Sequence, residues 1–355
     1  MLGEGAIAAV VNRTGETSGG PMMIDLALQG GGSHGAFTWG VLDRILESDW
    51  VGIEGISGTS AGAMNAAVLA HGMATGGREG ARAALHEFWS RVSKAAMWSP
   101  FQRGPFDRLM GRWTLDNSPA YLTADLMARL VSPYAFGLTD YNPLRDILDD
   151  MLDFRAIAEG PVKLFITATN VRTGRGRVFR CDEVTADVLM ASACLPTLYR
   201  AVEIEGEAYW DGGFSGNPTI TPLVTECAAH DVVLVQINPV SRPEVPMDAR
   251  DIQSRINEVS FNATLLKELR MMALLRRVAD AGEGECALWC RTRMHRISTD
   301  LMVELGASSK LNAEWEFLTM LRDEGRRAAE AFAERHRADI GLRSTLDIDE
   351  FLELG

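Results

Sequence analysis

The chain has 355 residues, 46% of them apolar, and its 35 basic and 48 acidic side chains leave a formal net charge of -13. That length and apolar content suit one large domain, or a domain with an added helical region, and the acidic balance argues against nucleic acid as a partner and against simple electrostatic attachment to an anionic membrane. Five scattered cysteines, of which Cys286 and Cys290 are the nearest pair, lack metal-ligand spacing; they point to reduced thiols in a reducing compartment, with no metal and no cofactor expected.

No stretch approaches the ~20 apolar residues that a bilayer span needs. Residues 1–21 lack the basic start and apolar segment of a secretory signal and read as a flexible lead-in. The expected location is the cytoplasm, with peripheral contact at membrane or lipid surfaces left open.

The first strand is expected at about 24–29. It runs into Gly30-Gly31-Gly32-Ser33-His34-Gly35 and then a helix near 35–48, with Phe37, Val41, Leu42 and Ile45 on one face. Consecutive glycines at the mouth of a helix expose backbone N–H groups to an anion. Gly30-x-Gly32-x-x-Gly35 is also, formally, a dinucleotide-binding fingerprint. That fold expects an acidic residue at the end of the next strand. Here the next strand, at about 51–57, ends in a serine, and Asp49 lies before it.

Gly58-Thr59-Ser60-Ala61-Gly62 joins that strand to a helix near 60–72, the strand–turn–helix context of a nucleophile elbow. Gly58 and Gly62 permit the close backbone approach a tight elbow demands. Ser60 would sit at a helix N-terminus, where free N–H groups and the dipole favour a developing oxyanion. Small residues at a β–α turn also serve plain packing.

After a helix near 79–96, residues 97–145 interrupt the alternation. Met97, Trp98, Phe101, Phe106, Trp113, Tyr121, Leu126, Tyr134, Phe136 and Tyr141 are interspersed with Pro100, Pro105, Pro119 and Pro133. This reads as a short-helical apolar insertion: an acyl-binding cap over Ser60, or an ordinarily packed subdomain. Strands at about 162–170 and 177–180 follow, then a helix near 184–193 and a strand region at about 202–210. The last leads into Trp210-Asp211-Gly212-Gly213, which leaves a carboxylate at a strand end, although Asp-Gly is equally a turn signal. A strand at about 232–238 completes a mainly parallel, helix-covered sheet with its site at the strand C-terminal ends.

Beyond the linker-like Ser241–Pro246, long helices are expected at about 250–280 and 311–339. In the first, Leu265, Leu266, Leu269, Met272, Leu275 and Val278 form an apolar face for the sheet domain, a lipid, a partner or a second subunit. The second reads as largely solvated, with Trp315, Phe317, Leu318 and Leu321 inward. Of the six histidines, His86 and His336 lie in charged helical stretches, His71 closes the elbow helix, His230 precedes a strand, and His295 sits in a basic run expected to be solvated. None carries the motif of a catalytic base.

Taken together and in order, Gly30 to Gly35, Gly58 to Gly62 and Asp211-Gly212-Gly213 resemble the patatin-like phospholipase family. The resemblance runs from about Leu26 to about Leu223, with further matches at Asn142-Pro143-Leu144, Thr167-Ala168-Thr169-Asn170 and Ala191-Ser192-Ala193-Cys194-Leu195-Pro196. It implies a lipid acyl hydrolase with Ser60 as nucleophile, Asp211 as proton acceptor and an oxyanion hole in the glycine loop (Gly30, Gly31, Gly32, Ser33, His34, Gly35), centred on the amides of Gly31, Gly32 and Ser33; Gly58, Gly62, Gly212 and Gly213 complete the motifs. The family usually places a cation or an apolar residue where His34 stands, whose imidazole is expected to titrate near neutrality as loop support.

The chemistry is self-consistent. Serine needs a positioned base, and a carboxylate beside Trp210 and Phe214 would be pushed toward a useful pKa. The organisation expected is a lead-in (1–21), an α/β hydrolase domain (22–240) with the insertion at 97–145, and a mainly helical region (241–355). The leading function is a serine esterase acting on lipid-like acyl esters. The others are a hydrolase of intracellular polyester, a non-catalytic lipid-binding protein and a nucleotide-binding oxidoreductase. A homo-oligomer is open.

Overall fold

The computed structural model describes residues 20–97, 99–135, 142–278 and 285–353. Most of the lead-in, together with Trp98, Phe136 and Tyr141 of the insertion, lies outside the described residues. The chain begins β1 (Met22–Leu28), α1 (Gly35–Glu47), β2 (Val51–Gly58) and α2 (Ala61–Ala96). The insertion holds α3 (Pro105–Leu109), α4 (Pro119–Leu130) and the start of α5 (Pro143–Met151), before α6 (Phe154–Ala158). Then come β3 (Lys163–Asn170), β4 (Gly176–Arg180), α7 (Ala186–Ser192), β5 (Val202–Ile204), β6 (Glu207–Asp211), α8 (Thr221–Glu226) and β7 (Asp231–Val235). The remainder contributes α9 (Ala249–Val278), α10 (Glu285–Arg291), β8 (Arg293–Ile297), α11 (Leu301–Glu304) and α12 (Trp315–His336).

One mixed sheet orders its strands β5-β6-β3-β2-β1-β7-β8, with β4 also paired to β3. Strands β3, β2, β1, β7 and β8 run parallel, while β4 and β6 pair antiparallel to β3 and β5 pairs antiparallel to β6. Side chains alternate across β1: Leu26 and Leu28 join one buried cluster with Phe37, Val41 and Leu42 of α1, and Ala27 joins the other with Leu265, Leu269 and Met272 of α9. The apolar face expected on α9 is therefore largely covered by the sheet, although Val278 is 82% exposed.

The two helices expected at 60–72 and 79–96 are present and meet at Gly77, whose φ of 63° lies in the left-handed region and breaks α2 there. Two sequence expectations need revision. The C-terminal region is not only helical: β8 extends the sheet beside β7, in register from Asp231–Arg293 to Val235–Ile297. His295 lies on that strand and is fully buried, not solvated. Its Nε2 is 3.0 Å from Asp231 Oδ1 and its Nδ1 is 3.0 Å from Thr345 Oγ1. Among the described residues, no helix is long and apolar enough to cross a membrane.

Candidate active site

The glycine loop follows β1 and the serine elbow follows β2, so two adjacent parallel strands deliver both to one edge of the sheet. Asp211 arrives by a different route. On one side β3 pairs with β2 over Lys163–Ile166, and β4 occupies the other side from Phe165 to Thr169. β2 leaves at Gly58, opposite Ile166, and β6 takes its place with Asp211 opposite Ala168. The carboxylate thus enters where the elbow departs. Gly212 packs so closely that a methyl group there would meet the carbonyl of Thr167 and lie 3.0 Å from Thr59 Cγ2.

The elbow is strained. Ser60 has φ 55° and ψ -122°, a conformation side chains rarely adopt. A methyl at Gly62 would run into the Leu28 carbonyl, and one at Gly30 would come within 2.5 Å of Ser60 Cβ. The Ser60 N–H donates to Ser192 Oγ at 2.9 Å, and that hydroxyl donates to the Thr167 carbonyl at 2.7 Å. Ser192 comes from the Ala191–Pro196 stretch, so this match supports the elbow directly. Asn65 on α2 donates to the Gly35 carbonyl at 3.0 Å and accepts from Trp89 Nε1 at 3.0 Å, which ties the elbow helix to the glycine loop.

Asp211 is buried, and its Oδ1 accepts the Gly213 N–H at 2.7 Å. Burial pushes its carboxyl up to about 7, against the opposing influence of the Gly213 amide, a hydrogen bond from the Ser60 side chain and the charge of Lys310. A carboxyl tuned near neutrality, within reach of a strained serine, can act as a proton acceptor. Among the described residues, no histidine is a hydrogen-bond partner of either.

In the glycine loop the amides divide into two groups. Gly30 N–H donates to Asn217 Oδ1 at 2.7 Å, His34 N–H to the Gly31 carbonyl at 3.3 Å, and Gly35 N–H to the Gly32 carbonyl. These three are engaged, which removes Gly30, His34 and Gly35 from the candidate oxyanion donors. The amides of Gly31, Gly32 and Ser33 have no partner among the described residues and remain available.

His34 differs from expectation. Its Nε2 lies 2.7 Å from Ser309 Oγ, whose own proton goes to the Gly306 carbonyl at 2.6 Å. Nε2 therefore carries the hydrogen and Nδ1 is a buried, unpartnered acceptor. Burial, with Lys310 and Arg242 nearby, pushes the imidazole pKa well below its ordinary value. His34 is a neutral strut, not a group titrating near neutrality.

A family model of patatin-like phospholipases matches residues 26–224. The chain belongs to the patatin-like phospholipase family. No curated protein matches it. Among solved structures, it is similar to VipD from Legionella pneumophila at 14% identity, with a TM-score of 0.34 over 95% of this chain and 79% of that one. A chain of the complex of full-length SpcU with full-length ExoU, from the type III secretion system of Pseudomonas aeruginosa, is similar at 14% identity and a TM-score of 0.28, over 94% of this chain and 76% of that one.

The patatin-like match ends before β7, yet several residues that hold the site lie beyond it. Gln29 Oε1 accepts the N–H groups of Ile237 and Asn238 at 3.0 and 2.9 Å, and Gln29 Nε2 donates to the Asn217 carbonyl and to Asn262 Oδ1, both at 3.2 Å. Asn238, Asn262, Ser309 and Lys310 carry no local motif. Their role arises from contacts between segments far apart in the chain, from the 72 residues between Asn238 and Lys310 to the 275 between His34 and Ser309.

Proposed function

We propose that the protein is a serine esterase that cleaves carboxylic esters of lipid-like substrates through a Ser60–Asp211 dyad. Ser60 Oγ attacks the ester carbonyl as Asp211 takes its proton. The tetrahedral oxyanion is received by the amides of Gly31, Gly32 and Ser33. Collapse expels the alcohol, protonated by Asp211, and leaves an acyl-enzyme on Ser60 that a water, deprotonated by Asp211, hydrolyses. Family membership supports the lipid acyl hydrolase class. The observation that carries the dyad is the strained Ser60 beside a buried Asp211 whose carboxyl lies near 7. The insertion offers exposed apolar side chains, Phe106, Leu109, Met110, Leu126 and Leu130 on or beside α3 and α4, a surface suited to acyl chains and to peripheral contact with a lipid surface.

Hydrolysis of p-nitrophenyl esters of graded acyl length tests this reading. Ser60→Ala and Asp211→Asn are each expected to lower kcat by about 100-fold or more, and a fluorophosphonate should label the native chain but not Ser60→Ala. Undiminished turnover in Ser60→Ala would exclude the mechanism.

A further inference from the structure

The segment Ala307–Leu311 forms a short 3-10 turn that lies against the glycine loop, far outside the part of the chain that matches the family. Three contacts join them. Ser309 Oγ receives His34 Nε2 at 2.7 Å. The Lys310 carbonyl packs on Gly32 so tightly that a methyl group there would overlap it. Lys310 Nζ donates to Asn238 Oδ1 at 2.8 Å, and Asn238 Nδ2 donates to the Gly30 carbonyl at 2.7 Å. The last contact sets the orientation of the Asn238 amide: with the ammonium on its oxygen, the NH2 group must face the loop.

The ammonium itself is unusual. Among the described residues, no carboxylate lies within ion-pair distance of Lys310 Nζ. The charged and titratable groups that act on it are Glu258, Arg242, Asp211 and His34, and Glu258 is already paired with Arg242 at 2.6 Å and Arg255 at 3.2 Å. Removing an ammonium from water is costly unless something repays it. The partner on its near side is a neutral amide, and the loop His34 is neutral as well.

We propose that Lys310 is a positioning residue of the esterase, holding the oxyanion loop through Asn238 and giving the site a positive charge. The inference rests on the dyad reading above. During acylation the negative charge grows at the Gly31–Ser33 amides, and a nearby cation of low solvent exposure lowers the energy of that state more than of the neutral ester. The same cation favours ionised Asp211, which must be deprotonated to accept from Ser60. Besides Lys310, the groups facing Asp211 are the Ser60 hydroxyl, the Gly213 amide and the Cys194 thiol, none of them a cation.

The experiment compares Lys310→Gln, which keeps a donor toward Asn238 without the charge, and Lys310→Met, which loses both, in the full chain. The pH profiles of kcat and KM on a p-nitrophenyl ester are measured, with fluorophosphonate labelling of native chain and Ser60→Ala alongside. In both variants the acid limb of kcat should move upward by about half a pH unit or more, since Asp211 loses a cation that lowers its pKa. At pH 8, above that limb, kcat should fall about tenfold with KM changed less than about twofold. A half-buried lysine replaced by an apolar residue of similar volume is not expected to unfold the chain. An unmoved acid limb in Lys310→Gln and Lys310→Met overturns the inference, whether or not their rates fall, as does a loss of rate that tracks a loss of thermal stability. Absent labelling of Ser60 in the native chain instead overturns the dyad reading, and the inference with it.

Discussion

Asp211 is where one residue decides the working range of the site. Burial outweighs the stabilising Gly213 amide, Ser60 hydroxyl and Lys310 charge, so the carboxyl lies at about 7. The proton acceptor must be ionised, so kcat/KM should rise with pH through a midpoint near 7 and level off above it, with the same midpoint for substrates of different acyl length. A profile already flat from pH 5 upward would mean that Asp211 is ionised throughout and that its burial does not govern the reaction. The residues of the proposed dyad stand out in the sequence because their signal is local: a serine between two glycines after a strand, an aspartate before two glycines. His295 was misread for the same reason. Its neighbours Arg293 and Arg296 make the segment look solvated, but Arg293 pairs with Asp231 at 2.7 Å and only Arg296 faces outward, so the alternation of a strand is hidden under basic composition.

At the scale of elements, α1 and α12 pack backbone against backbone. Two glycines face each other's helix: a methyl at Gly40 would overlap the Arg322 carbonyl, and one at Gly325 the Phe37 carbonyl. Backbones this close bury Phe37, Phe317, Leu318 and Leu321 completely, and α1 carries the glycine loop at its N-terminus. Within an exposed helix, Gly→Ala gains about 1 kcal/mol. Here the overlap is with backbone, which cannot rotate away, and overpacking costs about 1–3 kcal/mol. Gly325→Ala is therefore expected to lower stability by about 1–2 kcal/mol, read as a lower urea midpoint with an unchanged slope; a raised midpoint would mean that α1 and α12 are less tightly apposed. The sequence placed α1 well because Phe37, Val41 and Leu42 repeat at helical spacing. It read α12 as largely solvated, since charges of both signs run through it and a glycine in mid-helix carries no sign of its partner. The stretch holding α3 and α4 read as short-helical and apolar without bounds for either helix, because their prolines stand at N-terminal first-turn positions instead of marking breaks.

Across the whole molecule, the region after Pro239 is bound into the sheet, and two buried carboxylates show how that integration sets pH-dependent stability. Asp231 on β7 would be raised by burial alone, but the His295 side chain, Arg293 and the Gly341 amide hold it well below the usual carboxylate range. Its contribution is present at neutral pH and is lost as acid protonates it. Asp25 on β1 works in the opposite direction. Burial pushes it up to about 7; the Cys227 thiol and Gly55 amide oppose this, Glu54 adds to it and Lys163 opposes it. Neither carboxyl oxygen has a hydrogen-bond partner of normal geometry. A group whose pKa is higher folded than unfolded favours folding fully below its unfolded value, here about 4, and loses that contribution as pH rises through its folded value. The native chain should thus lose stability at Asp25 between pH 4 and pH 7, and Asp25→Asn, which cannot ionise, should not. The stability difference, variant minus native, is expected to shift in the variant's favour by on the order of 4 kcal/mol between pH 4 and pH 8, measured by denaturant unfolding at each pH. Taking the difference of two pH values cancels whatever the amide itself costs or gains in the site. A difference independent of pH would show that Asp25 titrates alike in the folded and unfolded chain, which would require water or a cation to reach it in the middle of the sheet.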